Sequence, residues 1–285
     1  MSDAASPTPF RVRGGWATDV GHVRDHNEDS VLVAPPVFMV ADGMGGHDAG
    51  EVASAIAVEE FGDLAGSEDL RIEDLGAALR EAERRIHEIG TGGPLSAGTT
   101  VALAATMLID GAGYWVVLNL GDSRVYRLSG DVFEQVSVDH SVVQELVDAG
   151  ELTAAEAKVH PYRHMITRAL GAGPQSDPDY WLIPAEAGDR LLVCSDGLSG
   201  ELDDETIERV LRRTAGVQEA CDVLVELALA AGGHDNVTVV IVEAIEVPGA
   251  EGDGDTGPAP RAPERVDDAG EDTVPRRLRR DGGEP

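Results

Sequence analysis

The sequence has few aromatic residues and only two cysteines, and each shortage limits what the protein can be. Aromatic residues make up 4% of the 285 residues, so the hydrophobic core must consist mainly of Val, Leu, Ile and Ala. Cys194 lies in a strand-like apolar run and Cys221 in a helix-like one. We interpret both as buried free thiols, which fits a reducing compartment. No secretory signal pattern opens the sequence, so we predict a cytoplasmic protein.

Basic residues are also scarce, since 22 Lys and Arg residues stand against 53 Asp and Glu residues, for a formal net charge of −31. A surface of this charge repels nucleic acid and anionic membranes, so neither is expected as a partner. No apolar stretch is long enough to span a bilayer. The charge suits cation binding, although a solvated acidic surface is the commoner explanation of such a composition.

Composition divides the chain into three parts. Residues 1–9 lack hydrophobic periodicity and are predicted to form a disordered leader. Residues 247–285 are rich in Pro, Gly and charge, with almost nothing to bury, and are predicted to form a disordered tail. The intervening residues 10–246 are predicted to form one domain. Within it, residues 139–171 are helical, polar and only loosely apolar, and we interpret them as a small flap over a site.

Strand-like and helix-like segments occur in separate groups within the domain. The strand-like runs are "SVLVA", "VFMVA", "TTVALAATMLI", "YWVVLNL", "SRVYRL", "DRLLVCS" and "NVTVVIVEA". Asp110-Gly111 predicts a hairpin, and the three runs between residues 99 and 128 suggest an antiparallel meander. Apolar residues recur at helical spacing at Leu75, Leu79, Ala82, Ile86 and Ile89, and again at Ala220, Val223, Leu224, Leu227 and Ala231. This grouping predicts an α+β fold, with helices packed on the outer faces of sheets.

A carboxylate ends an apolar run in "VFMVADGMGGHDAGE", residues 37–51. Asp42-Gly43 would suggest a hairpin turn, but no second strand follows, and the chain passes through glycines into a helix-like segment. Other segments also place acids where a strand meets a loop, and these acids are Glu28, Asp29, Asp122, Asp196 and Asp235. Asp is common in turns, so none of these positions is informative alone.

The acids become informative as a set if the strand ends converge. Several carboxylates in one pocket repel one another and cannot all stay ionised without compensation. Hard divalent cations such as Mg²⁺ or Mn²⁺ supply that compensation, because they prefer oxygen ligands. Arg24 lies four residues before Glu28, and a guanidinium beside such a cluster can bind phosphate oxygens in a bidentate fork. Carboxylates, divalent metals and an arginine together indicate phosphoryl hydrolysis.

The same segments resemble a known family, the metal-dependent serine/threonine protein phosphatases of the PPM or protein phosphatase 2C type. In chain order they are "GHVRDHNEDS", "VADGMGGHDAGE", "SAGTT", "LGDSRVYRL", "DHSVVQEL", "ITRALG", "LLVCSDGLSG" and "GGHDNVTVV", spread over residues 15–244. "DGMGGH" resembles the bacterial branch in particular. The resemblance implies a central sandwich of two antiparallel β-sheets flanked by helices on both faces (α/β/β/α), with a small helical flap subdomain.

The resemblance also implies a core site for two ions, Mn²⁺ or Mg²⁺. Asp42 would bridge the two metals, and the backbone carbonyl of Gly43 would bind one of them. Glu28 would bind the second metal, while Asp196 and Asp235 would complete the coordination of the first. Two such ions lower the pKa of a water between them, and the resulting hydroxide can attack phosphorus in line without a phosphoenzyme.

Further residues receive supporting roles from the resemblance. Asp122 would hold a third, weaker metal together with Asp196, as in bacterial relatives. Arg24 would bind the substrate phosphate. Asp29 would support the metal ligands, and Asn236 would order the loop that carries Asp235.

The acid that protonates the leaving alcohol is not assigned by the sequence. Eukaryotic members of the family carry a histidine directly after the Asp-Gly pair, where this chain has Met44, which cannot donate a proton. A metal-bound water and His47 remain as alternatives. His160 and His164 lie in the predicted flap and are interpreted as polar surface residues.

The leading hypothesis is a monomer that hydrolyses phosphoserine and phosphothreonine in proteins. By family analogy, Ser/Thr kinases are expected among its substrates. The alternative is a catalytically weak scaffold that binds phosphoproteins on the same fold. A two-metal phosphodiesterase acting on nucleic acid is disfavoured by the net charge. A cysteine-based phosphatase needs an arginine six residues after its nucleophile, and this chain has Gly200 and Leu227 at those positions.

Overall fold

The structure is a computed structural model that describes residues 10–45, 49–90, 97–172 and 177–249, together with the backbone of Glu264–Val266. The predicted leader, 1–9, and most of the predicted tail lie outside the described residues. In the part of the chain that is described, every helix is too short or too polar to cross a membrane.

The described elements follow one another in a mixed order. The strands are β1 (Arg11–Asp19), β2 (Asp29–Ala34), β3 (Val37–Met44), β4 (Gly98–Thr99), β5 (Val101–Ile109), β6 (Ala112–Leu120), β7 (Arg124–Ser129), β8 (Val132–Gln135), β9 (Asp179–Pro184), β10 (Arg190–Cys194), β11 (Val237–Glu246) and β12 (Glu264–Val266). The helices are α1 (Ala49–Gly62), α2 (Ile72–Gly90), α3 (Val142–Asp148), α4 (Ala154–Ala157), α5 (Asp196–Ser199), α6 (Asp204–Arg213) and α7 (Val217–Ala231).

These strands form two antiparallel sheets that pack face to face. One sheet has the order β1-β11-β10-β7-β8, and the other has the order β12-β9-β6-β5-β3-β2, with β4 paired to β3. Helices α1 and α2 cover the outer face of the second sheet, and α6 and α7 cover the outer face of the first. The predicted α/β/β/α sandwich is therefore confirmed.

The continuous apolar runs of the sequence are explained by strands that are buried on both faces. Successive side chains of a strand point to opposite faces. In β3, Phe38 and Val40 face the core between the sheets, whereas Val37 and Met39 face the core beneath α1 and α2. All four side chains have no exposed surface.

The hairpin predicted at Asp110-Gly111 joins β5 to β6, and both residues have positive φ, 51° and 80°. The predicted meander is wrong, because β7 pairs with β10 and β8 in the other sheet rather than with β6. The chain changes sheets at Gly121, whose φ of 118° favours glycine. A Cβ atom there would also lie 2.6 Å from Cγ2 of Thr100.

The predicted flap contains the two short helices α3 and α4, whose described residues are not buried. Ser141 caps α3, and Thr153 forms a capping box with Glu156 at the start of α4. The boundaries of the flap and of the domain stay predictions.

The beginning of the predicted tail contacts the folded domain. The carbonyl oxygen of Pro248 accepts a hydrogen bond from the N–H of Gly113 at 2.9 Å, and Val247 packs against the core between the sheets. Strand β12, within the tail, pairs with β9. This strand was not predicted, because the surrounding composition gives no strand pattern.

Candidate metal centre

Asp42 lies near the end of β3, and its backbone is fixed from the neighbouring strand. Its N–H donates to Oγ1 of Thr100 at 3.0 Å, and its carbonyl oxygen accepts from the N–H of Thr100 at 2.9 Å. The hydroxyl of Thr99 donates to the same carbonyl at 3.0 Å. The direction of the chain at Asp42 is therefore set by the "GTT" segment, which the sequence analysis had noted only as a motif.

The glycines after Asp42 are required by close packing of backbone. A Cβ atom on Gly43 would overlap the carbonyl oxygen of Gly50 and lie 2.6 Å from that of Glu28. A Cβ atom on Gly50 would lie 2.7 Å from Oε1 of Glu28. The start of α1, the end of β3 and the Glu28 loop thus meet with no room for side chains between them.

Asp196 begins helix α5 directly after β10. The preceding residue, Ser195, has no exposed surface, and its hydroxyl donates to Oδ2 of Asp29 at 2.8 Å. Ser195 follows β10 of one sheet and Asp29 begins β2 of the other, so this hydrogen bond joins the two sheets at the site.

Asn236 connects the loop before β11 with the loop that carries Arg24 and Glu28. Its Nδ2 donates to the carbonyl oxygens of Val20 and His26, both at 2.9 Å, and its Oδ1 accepts from the N–H of Glu28 at 2.9 Å. These contacts connect the loop before β11 to the Glu28 loop, and the predicted ordering role of Asn236 stays a prediction.

Asp235 is directed towards Arg24 rather than towards the other acids. Its Oδ2 accepts from Nη2 of Arg24 at 2.7 Å. Asp235, Asp196 and Asp42 all raise the pKa of Arg24 above its ordinary value, with the hydrogen bond that Arg24 donates to Asp235 as the largest cause. The guanidinium is about half exposed, so it can contact a ligand from solvent.

Asp122 lies in the turn where the chain changes sheets. The hydroxyl of the next residue, Ser123, shares a hydrogen bond of 2.8 Å with Oγ1 of Thr100. That same Oγ1 accepts from the N–H of Asp42, so one buried hydroxyl links the segments of Asp42 and Asp122.

The pKa values of the acids show that they converge. Removal from water is the largest cause of the raised pKa of Asp42, followed by the charges of Asp29, Asp196 and Asp122. Burial followed by the charge of Asp196 raises the pKa of Asp122. Asp235 has the second largest effect on Asp196, again after burial. The four segments therefore place their carboxylates within electrostatic reach of one another.

Asp29 belongs to the same cluster. Its pKa is raised to about 7, mainly by burial and in smaller part by the charges of Asp196 and Asp235, against the lowering effect of hydrogen bonds from Thr238 and Ser195. These carboxyl groups keep some exposed surface, yet loss of hydration still dominates their pKa values.

The donor set fits a hard divalent cation in its chemistry. The side chain of Asp42 lies close enough to Asp196 to affect the pKa of that carboxyl directly. A cation bound between them would favour the ionised acids. Within residues 10–45, 49–90, 97–172 and 177–249, however, no three His, Cys, Asp or Glu side chains are already arranged to hold an ion. In this arrangement Oδ2 of Asp235 accepts from Arg24, and its Oδ1 accepts from the N–H of Asn236.

A cleft of about 430 Å³ opens beside the cluster. It is lined by Val23, Arg24, Asp25, His26, Glu28, Gly45 and Glu51. Arg24 and Glu28, which the sequence singled out, therefore border the space through which a ligand would approach.

One flap histidine lies closer to the acidic cluster than its sequence position indicated. His164 is an exposed flap residue, as predicted, but it lies close enough to Asp196 to lower the pKa of that carboxyl. Sequence position gave no sign of this proximity. His47, the other histidine considered as an acid, lies outside the described residues. Met44 is partly buried at the end of β3.

Sandwich fold and acidic centre together define the class of protein, and comparison with known proteins gives the family. Residues 19–230 match the family described as "Protein phosphatase 2C". The chain belongs to the protein phosphatase 2C family.

Relatives in several bacteria agree with this assignment. The serine/threonine phosphatase Stp of Listeria innocua is 36% identical over 245 residues, which cover 80% of this chain and 94% of that protein. The serine/threonine protein phosphatase PstP of Mycobacterium tuberculosis is 41% identical over 238 residues, which cover 82% of this chain but only 45% of PstP.

Solved structures give the same answer. The M. tuberculosis phosphatase PstP/Ppp superimposes with a TM-score of 0.77 at 38% identity, covering 82% of this chain and 99% of that chain. The catalytic domain of PstP in complex with two manganese ions gives a TM-score of 0.75 at 38% identity, with the same coverage of 82% and 99%.

Proposed function

We propose that this chain is a serine/threonine protein phosphatase of the 2C type, which hydrolyses phosphoserine and phosphothreonine in proteins with the help of Mn²⁺ or Mg²⁺. The observation that carries the proposal is the convergence of Asp29, Asp42, Asp122 and Asp196 from separate segments of both sheets, where the charges of the other three acids all raise the pKa of Asp42. The names of the relatives and the manganese complex of PstP support it.

The metal-holding residues in this proposal are Asp42, Glu28, Asp196, Asp235 and the backbone carbonyl of Gly43. When bound, divalent ions supply a Lewis acid for the phosphoryl oxygens and lower the pKa of water to near neutrality. Asp122 is proposed to contribute to a third and weaker site with Asp196.

Arg24 is the proposed binder of the substrate phosphate. Its guanidinium borders the cleft and is about half exposed. A guanidinium has five N–H donors in a planar fork, so it can bind phosphate oxygens in a bidentate manner. Asp235 now accepts from Nη2. Its movement towards a metal would release that donor for the phosphate, which couples metal loading to substrate binding.

The chain's thiols support direct attack on phosphorus rather than a cysteinyl phosphoenzyme. Cys194 has no exposed surface, and burial raises its pKa to about 12. Cys221 has no exposed surface either, and burial raises its pKa to about 12 as well. A protonated and inaccessible thiol cannot serve as a nucleophile near neutral pH.

The proposal includes finer points that rest on analogy with the relatives. Residues 10–246 would form the phosphatase domain, residues 139–171 would control access to its site, and the chain would act as a monomer in the cytoplasm. Phosphorylated proteins, Ser/Thr kinases among them, would be its substrates.

The test is hydrolysis of a small aryl phosphate and of a phosphothreonine peptide by metal-free protein to which Mn²⁺ or Mg²⁺ is added back. We expect turnover only with metal, and a loss of turnover in Asp235→Ala. The matched control is Asp131→Asn, an exposed acid in the turn between β7 and β8. Arg24→Ala should mainly raise KM for the peptide if Arg24 binds phosphate in the ground state.

Two outcomes would contradict the proposal. Turnover that survives Asp235→Ala at the wild-type rate would place the chemistry elsewhere. Folded, metal-loaded protein that hydrolyses neither substrate but binds the phosphopeptide would favour the scaffold alternative.

A further inference from the structure

The backbone of Gly121 is held on both sides of its Cα by buried hydrogen bonds. Its carbonyl oxygen accepts from the N–H of His140 at 2.8 Å and from Nδ2 of Asn119 at 3.1 Å. Its N–H donates to Nδ1 of His140 at 3.1 Å. Glycine has no side chain to restrict φ and ψ, so these external bonds fix the conformation of the turn.

His140 contributes two of these bonds, one from its main chain and one from its side chain. It is 4% exposed and lies at the beginning of the predicted flap. Its carbonyl oxygen accepts from the N–H of Thr167 at 2.8 Å, close to the other end of the flap. The same residue therefore contacts both the base of the flap and the turn between the sheets.

The bond from Gly121 determines the tautomer of the imidazole. Because Nδ1 accepts a backbone N–H, it carries a lone pair, and the ring proton of the neutral form lies on Nε2. The N–H of Nε2 donates to Oδ2 of Asp179 at 3.2 Å, and Asp179 is 8% exposed at the start of β9. Nη1 of Arg168 in the flap lies 3.6 Å from the other oxygen of Asp179 and 3.4 Å from Nε2. Because Nε2 carries the ring proton and cannot accept, Arg168 pairs with the carboxylate rather than with the ring. His140 is thereby held on both sides of its ring.

The residue that follows Gly121 is Asp122, whose carboxylate belongs to the acidic cluster. We propose that His140 is a positioning residue for this cluster: its Nδ1 and its main-chain N–H hold the N–H and the carbonyl of Gly121, on either side of that residue's φ and ψ, and thereby set the direction in which Asp122 presents its carboxylate. This inference rests on the proposed role of Asp122 in holding a divalent cation. Partners that orient a metal ligand without touching the metal typically change affinity or activity by about 10- to 100-fold when they are mutated.

Two substitutions separate the contacts of the ring. In His140→Asn, the amide oxygen can take the place of Nδ1 and accept from Gly121, but nothing reaches Asp179. In His140→Gln, the amide nitrogen can take the place of Nε2 and donate to Asp179, but the N–H of Gly121 loses its acceptor. Asp122→Asn, which removes the carboxylate itself, is the reference for complete loss of its contribution.

The first measurement is titration calorimetry of the full metal-free chain with Mn²⁺, which needs no turnover. We expect Asp122→Asn to lose the weakest binding event and His140→Gln to weaken that event about tenfold or more. His140→Asn should bind close to wild type, and the tighter events should change little in either variant. Urea unfolding of each metal-free variant checks that it is folded. The Mn²⁺ concentration for half-maximal hydrolysis should follow the same order.

Equal behaviour of His140→Asn and His140→Gln would overturn the proposal, as would wild-type binding by His140→Gln or by Asp122→Asn. If His140→Gln does not fold, ¹⁵N spectra of the wild-type imidazole provide an independent test. We expect a protonated Nε2 and an unprotonated Nδ1, and the opposite tautomer would refute the Gly121 contact. Failure of the proposed function appears separately, as wild-type protein that binds Mn²⁺ but does not hydrolyse phosphate esters.

Discussion

The raised pKa of Asp29 predicts that metal-free protein loses stability as the pH rises. Below pH 3.8 the carboxyl is protonated in both the folded and the unfolded chain, so it does not affect the free energy of unfolding. Between pH 3.8 and about 7 the unfolded chain releases this proton while the folded protein keeps it, so the free energy of unfolding falls. Above about pH 7 the carboxylate is ionised in both states, and the loss is complete.

The size of the effect follows from the two pKa values. A difference between 3.8 and about 7, at about 1.36 kcal/mol for each pH unit, gives a loss of at most about 4 kcal/mol. This is a large fraction of the 5–15 kcal/mol that is typical of a folded domain. Asp29→Asn removes the ionisable group, and the amide oxygen can still accept from the hydroxyl of Ser195, which now donates to Oδ2 of Asp29 at 2.8 Å.

The assay is urea unfolding of chelator-stripped wild type and Asp29→Asn at several values between pH 4 and pH 8. The variant should match the wild type at pH 4 and become more stable than it by up to about 4 kcal/mol at pH 8. The control is again Asp131→Asn, which should track the wild type. Saturating Mn²⁺ should stabilise the wild type most at high pH, because a bound cation favours the ionised acids. Equal pH dependence of wild type and Asp29→Asn would refute the reasoning.

Two further predictions concern packing. The first tests a buried ion pair away from the site, and the second tests a glycine within it. Arg127→Met should lower the free energy of unfolding by about 3–5 kcal/mol, because it leaves the buried carboxylate of Asp189 without its ion-pair partner. Urea titrations measure this change, and a loss below about 1 kcal/mol would contradict the prediction. Gly43→Ala should destabilise the protein by about 1–3 kcal/mol and weaken Mn²⁺ binding, because the added methyl group overlaps the carbonyl of Gly50; wild-type binding and stability would show that α1 can move aside at no cost.

The sequence predicts the buried elements well and the exposed or glycine-containing ones poorly. β1 was missed because its sequence, "RVRGGWATD", contains two glycines and many polar residues. Both glycines lie where another part of the chain comes too close to leave room for a side chain. A Cβ atom on Gly14 would lie 2.8 Å from Cγ1 of Val33, and one on Gly15 would lie 2.8 Å from the backbone nitrogen of Gln218. Glycine weakens the strand pattern of this segment in the sequence, whereas in the structure it permits packing.

The candidate site shows a similar division. The acids could be found from the sequence because each follows or precedes a strand, and such positions are readable from local pattern. The ion pair between Arg24 and Asp235, the proximity of His164 to Asp196 and the contact of His140 with Gly121 could not be found in this way. Each of them joins residues that are distant in the chain, and no local pattern encodes which loops meet. The assigned roles of the site residues stay predictions until the variants are measured.

The hydrogen bonds that support the acidic cluster also explain why the cluster needs both sheets. Three of them connect a residue of one sheet's loops to a residue of the other's, and these are Ser195 with Asp29, Asn236 with Glu28, and Thr100 with Ser123. Each sheet supplies only part of the proposed ligand set, since Glu28 and Asp42 come with one sheet and Asp196 and Asp235 with the other. Burial of the core between the sheets therefore supplies the free energy that holds mutually repelling acids together. The repulsion that remains in the metal-free protein is the same free energy that a bound cation would recover.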